Sequence, residues 1–68
     1  MDSGWQLIYS SDKPHLVQIV KAALAESDID SFEVDKRDSS YVWEGEVELY
    51  VKPEYAVLAR IIIEQNKL

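Results

Sequence analysis

The chain has 68 residues, a net charge of −6 from 13 acidic and 7 basic side chains, and no cysteine. The acidic surplus argues against binding to nucleic-acid phosphates or anionic membrane surfaces, and the missing thiols exclude disulfides and thiolate metal sites. No apolar run approaches the ~20 residues that a bilayer span requires. Because apolar residues make up 47% of the chain, more than a disordered chain carries, we predict one small folded domain over residues 1–68.

The first half of the chain predicts a strand followed by a helix. Residues 5–10, WQLIYS, are rich in residues that suit a pleated surface, and Ile8 interrupts the alternation so that both faces become apolar. Residues 13–27 form the predicted helix. Its apolar stripe, at helical spacing, consists of Leu16, Ile19, Val20, Ala23 and Leu24.

The second half predicts two strands and a second helix. Residues 31–36 alternate, with Phe32 and Val34 expected on the core side and the polar residues between them facing solvent. Residues 46–51, EVELYV, form the clearest strand, with its three aliphatic side chains facing the core. A proline at position 53 precedes the last helix, predicted over 54–65.

The element order β-α-β-β-α restricts the topology. A right-handed crossover through the first helix leaves a gap of one strand, which the third strand fills antiparallel to both neighbours. We therefore predict an α+β fold, the ferredoxin-like split β-α-β lacking its fourth strand. The sheet order is 1-3-2 and both helices lie on one face. The strand over 5–10 is then an edge that contains no charged side chain and no proline.

Several segments also resemble a known family. The strings Tyr9-Ser10-Ser11, Asp12-Lys13-Pro14, Leu24-Ala25-Glu26-Ser27 and Gly45-Glu46-Val47-Glu48-Leu49-Tyr50-Val51 are similar to those of small prokaryotic signal-transducing domains. That family has no assigned function and a fold related to the PII and ACT-like sensors. The resemblance covers nearly the whole chain and implies the same fold, but it brings no catalytic residues with it.

The last helix is apolar on nearly all sides. Ala56, Ala59, Ile62 and Ile63 form one face, while Val57, Leu58 and Ile61 project roughly opposite. Three outward apolar side chains form a patch, and exposed patches usually mark contacts between proteins. We therefore predict a protein interface at Val57, Leu58 and Ile61.

The loop between the second and third strands contains further candidates. Tyr41 and Trp43 combine an apolar ring with a polar tip, as binding sites often do, but they are equally compatible with a lid over the open end of the core. Arg37, Ser39 and Ser40 are weaker candidates for contact with a ligand carboxylate or phosphate.

Neither a metal site nor catalysis is expected. The solvent-facing side of the sheet is predicted to carry Glu33, Asp35, Glu46 and Glu48, but strand positions are poor at surrounding a cation with oxygens. His15 is the single histidine, and nothing in the sequence positions a nucleophile beside it. We expect no cofactor, no metal and no catalytic residue.

The resulting functional hypothesis is a non-enzymatic domain that forms a homodimer or binds a partner protein. The alternative is a small-ligand sensor of PII or ACT type that binds a nucleotide or an amino acid. The first residues, MDSGW, lack the basic and apolar regions of a signal peptide, so we expect a soluble cytoplasmic protein that contacts neither membrane nor nucleic acid.

Overall fold

The structure, a computed structural model, describes residues 4–36 and 45–66. Its elements follow the predicted order and lie within a few residues of the predicted bounds. They are strand β1 (Gln6–Ser11), helix α1 (Pro14–Glu26), strand β2 (Ser31–Asp35), strand β3 (Val47–Val51), a 3₁₀ turn (Pro53–Tyr55) and helix α2 (Ala56–Gln65).

The three strands form one sheet in the order β1-β3-β2, with β3 antiparallel to both neighbours. The predicted α+β topology is therefore confirmed. The pairing of β1 with β3 shifts register between Leu7 and Tyr9, so Ile8 occupies a β-bulge. Ile8 and Tyr9 both pack against the core, whereas Leu7 is paired with Tyr50 and left 42% exposed. The bulge explains how β1 is apolar on both faces.

The core lies between one face of the sheet and the two helices. The sheet contributes Val47, Leu49 and Val51, as predicted from the alternation of this strand. The helices and the α1–β2 connection contribute Val17, Val20, Leu24, Ile29, Ala56, Ala59 and Ile62. Both helices therefore cover the same face, and the opposite face of the sheet carries no helix among the described elements.

The prediction of which side of β2 faces the core was wrong. Phe32 pairs with Tyr50, which lies on the open side of the sheet, and Glu33 pairs with the buried Leu49. Phe32 therefore lies on the open face, and Glu33 lies on the helix side. The predicted carboxylate row over Glu33, Asp35, Glu46 and Glu48 does not form on one face, because the register of an edge strand is set by its single neighbour.

The apolar stripe of α1 also differs from the predicted one. Val17, which the predicted stripe omitted, is fully buried, while Ile19 is 47% exposed. The helix is thus rotated so that Val17, Val20 and Leu24 face the sheet. Ile19 is displaced toward the outer surface of the helix layer, where it adds to the exposed apolar area.

Neither helix in the described part of the chain is long and apolar enough to cross a membrane.

Candidate functional site

The outward side of α2 is the most exposed apolar surface in the described structure. Val57 is 72% exposed, Leu58 46% and Ile61 44%, whereas Ala56 and Ala59 on the opposite side are buried. The predicted division of this helix into a core side and an outer side is confirmed. We call Val57, Leu58 and Ile61 the α2 patch.

The contacts of α1 identify which of its sides faces β2. The side-chain amide nitrogen of Gln18 donates a hydrogen bond of 2.7 Å to the carboxylate oxygen Oε1 of Glu33 on β2. The ammonium of Lys21 lies 3.4 Å from the same oxygen. Since α2 contacts β1, at the other edge of the sheet, the opposite side of α1 faces α2. Ile19 is on that side, because it is rotated by about 100° from Gln18 and about 160° from Lys21.

The topology places α2 and α1 in positions related by an approximate half-turn about the normal of the sheet, because each helix follows its strand through a short connection and β1 and β3 run antiparallel. The buried pair Val17 and Val20 therefore corresponds to Ala56 and Ala59. At the same sequence offset, Leu58 corresponds to Ile19 and Val57 corresponds to Gln18. Leu58 thus lies toward α1, and Val57 lies toward the outer side of β1.

Arg60 and Ile61 complete this arrangement. Arg60 corresponds to Lys21 and therefore lies on the same side as Val57, above the outer side of β1. Ile61 lies between the two sides, at the top of the helix layer. The α2 patch consequently extends from the groove between the helices, across the top of α2, to the β1 edge of the domain.

The two edges of the sheet differ in charge. β1 contains no ionised side chain, whereas β2 contains Glu33 and Asp35 within five residues. Charged side chains protect an edge strand from pairing with another chain, so β2 has this protection and β1 lacks it. The bulge at Ile8 is one protective feature that the sequence did not predict, and it leaves Tyr9–Ser11 as the regular part of the β1 edge.

The open face of the sheet carries an aromatic cluster that the sequence reasoning missed. The rings of Trp5 and Phe32 meet edge to face with centroids 4.6 Å apart, and Phe32 stacks on Tyr50 at 5.4 Å. Leu7 lies in the same cross-strand row. Each ring already has an aromatic neighbour, so this cluster stabilises the open face by contacts within the domain. The sequence signal that could have predicted this cluster is the presence of apolar residues on both sides of β1.

A short polar network borders this cluster. The Tyr50 hydroxyl donates a hydrogen bond of 2.6 Å to Glu48, and the ammonium of Lys36 lies 3.3 Å from the same carboxylate oxygen. The hydrogen bond from Tyr50 is the main reason that the pKa of Glu48 lies below its ordinary value, with Lys36 assisting and partial desolvation opposing. The same hydrogen bond raises the pKa of Tyr50. The network holds the edge of the tyrosine ring in place.

The predicted loop candidates lie outside the described residues. This applies to Tyr41 and Trp43, for which the sequence left a binding role and a lid role open. It applies equally to Arg37, Ser39 and Ser40. The binding roles of these five residues therefore remain predictions.

Within residues 4–36 and 45–66, the histidine and the carboxylates do not gather into a metal-binding group. His15 is exposed at the start of α1, and no group of three or more histidine, aspartate or glutamate side chains in this part of the chain is placed to hold a metal ion. An open depression of about 320 Å³ lies at the α1–β2 connection, where Asp28 and Asp30 outnumber Lys21. Two carboxylates against one ammonium disfavour an anionic ligand such as a nucleotide.

Comparison of the chain with protein-family models, with curated proteins and with solved structures found no match. The resemblance to the prokaryotic signal-transducing domains therefore stays a prediction.

Proposed function

We propose that this chain is a non-enzymatic interaction domain that binds protein through the α2 patch. The observation that carries the proposal is the 72% exposure of Val57 beside two half-exposed aliphatic side chains on one helix. Surface helices normally present polar residues to water, and contiguous exposed apolar residues mark contact sites. At about 1.5–3 kcal/mol per fully buried aliphatic side chain, covering the patch contributes several kcal/mol before association entropy is subtracted.

Two comparisons favour the α2 patch over the other surfaces. The rings of the aromatic cluster contact each other, whereas Val57 remains almost three-quarters exposed. The depression beside Asp28 and Asp30 has few apolar groups to desolvate a ligand, which ligand pockets usually need. A ligand-sensing role therefore ranks below protein binding.

The test is site-specific photo-crosslinking in the cells from which the chain derives. A photoreactive amino acid at Ile61 should form a covalent adduct with the protein that covers the patch. The matched control is the same amino acid at Ala25, an exposed position on the β2 side of α1. Adducts from Ile61 and none from Ala25 are expected. Equal adducts at both positions, or none at either, would contradict the proposal.

A further inference from the structure

We propose that the protein contacting the Val57 side of the α2 patch is a second copy of the same chain, joined along β1 so that two three-stranded sheets form one sheet of six strands. The inference rests on the proposed function, because the contact includes the Val57 side of α2. It adds the identity of the partner, the strand edge that is used and the relative orientation of the two copies.

Charge selects β1 as the edge through which two copies meet. Each copy carries a net charge of −6, so most relative orientations bring acidic surfaces together and are disfavoured. Pairing along β2 would face Glu33 and Asp35 against their counterparts. Pairing along β1 brings together Gln6–Ser11, which is free of ionised groups, and therefore avoids like-charge repulsion at the contact.

The position of α2 adds a second layer to the contact. α2 packs over β1, and Val57, Arg60 and Glu64 lie at helical spacing on the side above its outer edge. A two-fold axis that pairs the β1 strands antiparallel also sets the two α2 helices antiparallel, side by side. Val57 then loses its exposure to water. Arg60 and Glu64, of opposite charge and one turn apart, are placed to pair across the axis.

The area available predicts a weak dimer. The six residues of β1 extend about 20 Å, and a sheet with one layer of helices is about 20 Å deep, which gives roughly 400 Å² of contact per copy. Stable complexes bury about 800 Å² per partner. The bulge at Ile8 limits regular strand pairing further, so the strand and helix contacts are both needed. Dissociation constants in the micromolar range or weaker are expected.

Sedimentation velocity on the purified full chain, from about 10 µM to about 1 mM, tests the association. The wild type should shift from monomer to dimer across this range. Ser10→Lys on the exposed edge and Val57→Lys on α2 should each weaken dimerisation at least about tenfold. Ala25→Lys introduces the same charge at an exposed position away from the contact and should leave dimerisation unchanged. A wild type that stays monomeric, or three variants that behave alike, overturns the inference.

Distances between spin labels test the orientation, and the absence of native cysteine makes single labelling direct. Labels at Ser10→Cys should lie within about 20 Å of each other in the dimer. Labels at Asp30→Cys, next to β2, should be at least about 24 Å apart, because five strand spacings separate the outer strands. The reverse order of distances would overturn the joined sheet.

The two proposals fail separately. Adducts from Ile61 in cells, combined with a purified protein that stays monomeric, would overturn the second copy as partner and keep the protein-binding function. Dimers that dissociate on Ser10→Lys, without adducts from Ile61, would support the strand contact and contradict the role of the α2 patch.

Discussion

At the scale of single residues, the clearest electrostatic feature is the Tyr50 hydroxyl bound to Glu48. Because this hydrogen bond lowers the pKa of Glu48 in the folded state, it stabilises the fold above the ordinary pKa of 4.5. That stabilisation is lost as the pH falls through the folded-state pKa. The hydrogen bond between Tyr50 and Glu48 should therefore stabilise the fold at neutral pH and lose this effect in acid.

Replacing Tyr50 with phenylalanine tests this feature. Tyr50→Phe should raise the pKa of Glu48 toward its ordinary value, because the largest cause of the lowered pKa is removed. Carboxyl chemical shifts followed by NMR across a pH titration measure it. Tyr55→Phe, on the 3₁₀ turn, is the control and should leave Glu48 unchanged. An unaltered Glu48 titration in Tyr50→Phe would show that the hydrogen bond does not form in solution.

A second residue with a defined effect on stability is Asp28, whose backbone lies in the left-handed region at φ 61° just after α1. This conformation costs free energy through backbone strain. Its amide bonds to the carbonyl of Ala25, and the amide of Ile29 bonds to the carbonyl of Leu24, the pattern of a Schellman motif. Glycine is the usual residue at this position because a Cβ atom is strained there. Aspartate tolerates the conformation better than most residues but not without cost.

Asp28→Gly should therefore stabilise the domain, by up to about 1 kcal/mol. The matched control is Ser27→Gly, one residue earlier at φ −101°, where glycine relieves no strain and should give no gain. Urea denaturation of both variants measures the change in the free energy of unfolding. A loss of stability in Asp28→Gly would indicate that the aspartate side chain contributes more than the strain costs.

At the scale of elements, β3 contributes most to the stability of the sheet. It is the central strand, it pairs with both neighbours, and it supplies three of the ten buried apolar residues found within 4–36 and 45–66. α2, in contrast, buries alanines at two of its three buried positions. The sheet interior is therefore more sensitive to truncation than the outer side of the helix.

Leu49→Ala should cost about 2–5 kcal/mol, because Leu49 is fully buried and its removal leaves a cavity. For a 68-residue chain, whose total stability is roughly 3–10 kcal/mol, that loss takes a large part of the stability. Leu58→Ala, at a half-exposed position, is the control and should cost less than about 1 kcal/mol. Thermal and urea unfolding at low protein concentration compare them, and equal losses would show that Leu58 is packed as tightly as the core.

At the scale of the whole molecule, one layer of helices covers one face of the sheet, and the other face carries a cluster of partly exposed aromatic side chains. A domain this small buries a limited fraction of its surface. Apolar residues consequently remain outside on both faces. Among the described residues, the α2 patch and the uncharged β1 edge are the surfaces at which the proposed second chain would add to that burial.

The sequence by itself determined the element order, the sheet order and the core side of β3. Those features depend on strong local patterns: a strict alternation in residues 46–51, helical spacing in residues 13–27, and the handedness of the crossover. The exposed side chains of the α2 patch were predictable for the same reason. Ala56 and Ala59 leave one consistent choice for the core side of that helix.

The tertiary structure decided the features that depend on neighbours. β2 has mixed residues on both sides, so its orientation follows from pairing Phe32 with Tyr50 rather than from its own pattern. The rotation of α1 follows from packing against the sheet, which buries Val17 and leaves Ile19 outside. The bulge at Ile8 likewise arises only when β1 meets β3. An edge strand or a one-layer helix has too few local constraints to specify its own register or rotation, because contacts distant in sequence supply the deciding free energy.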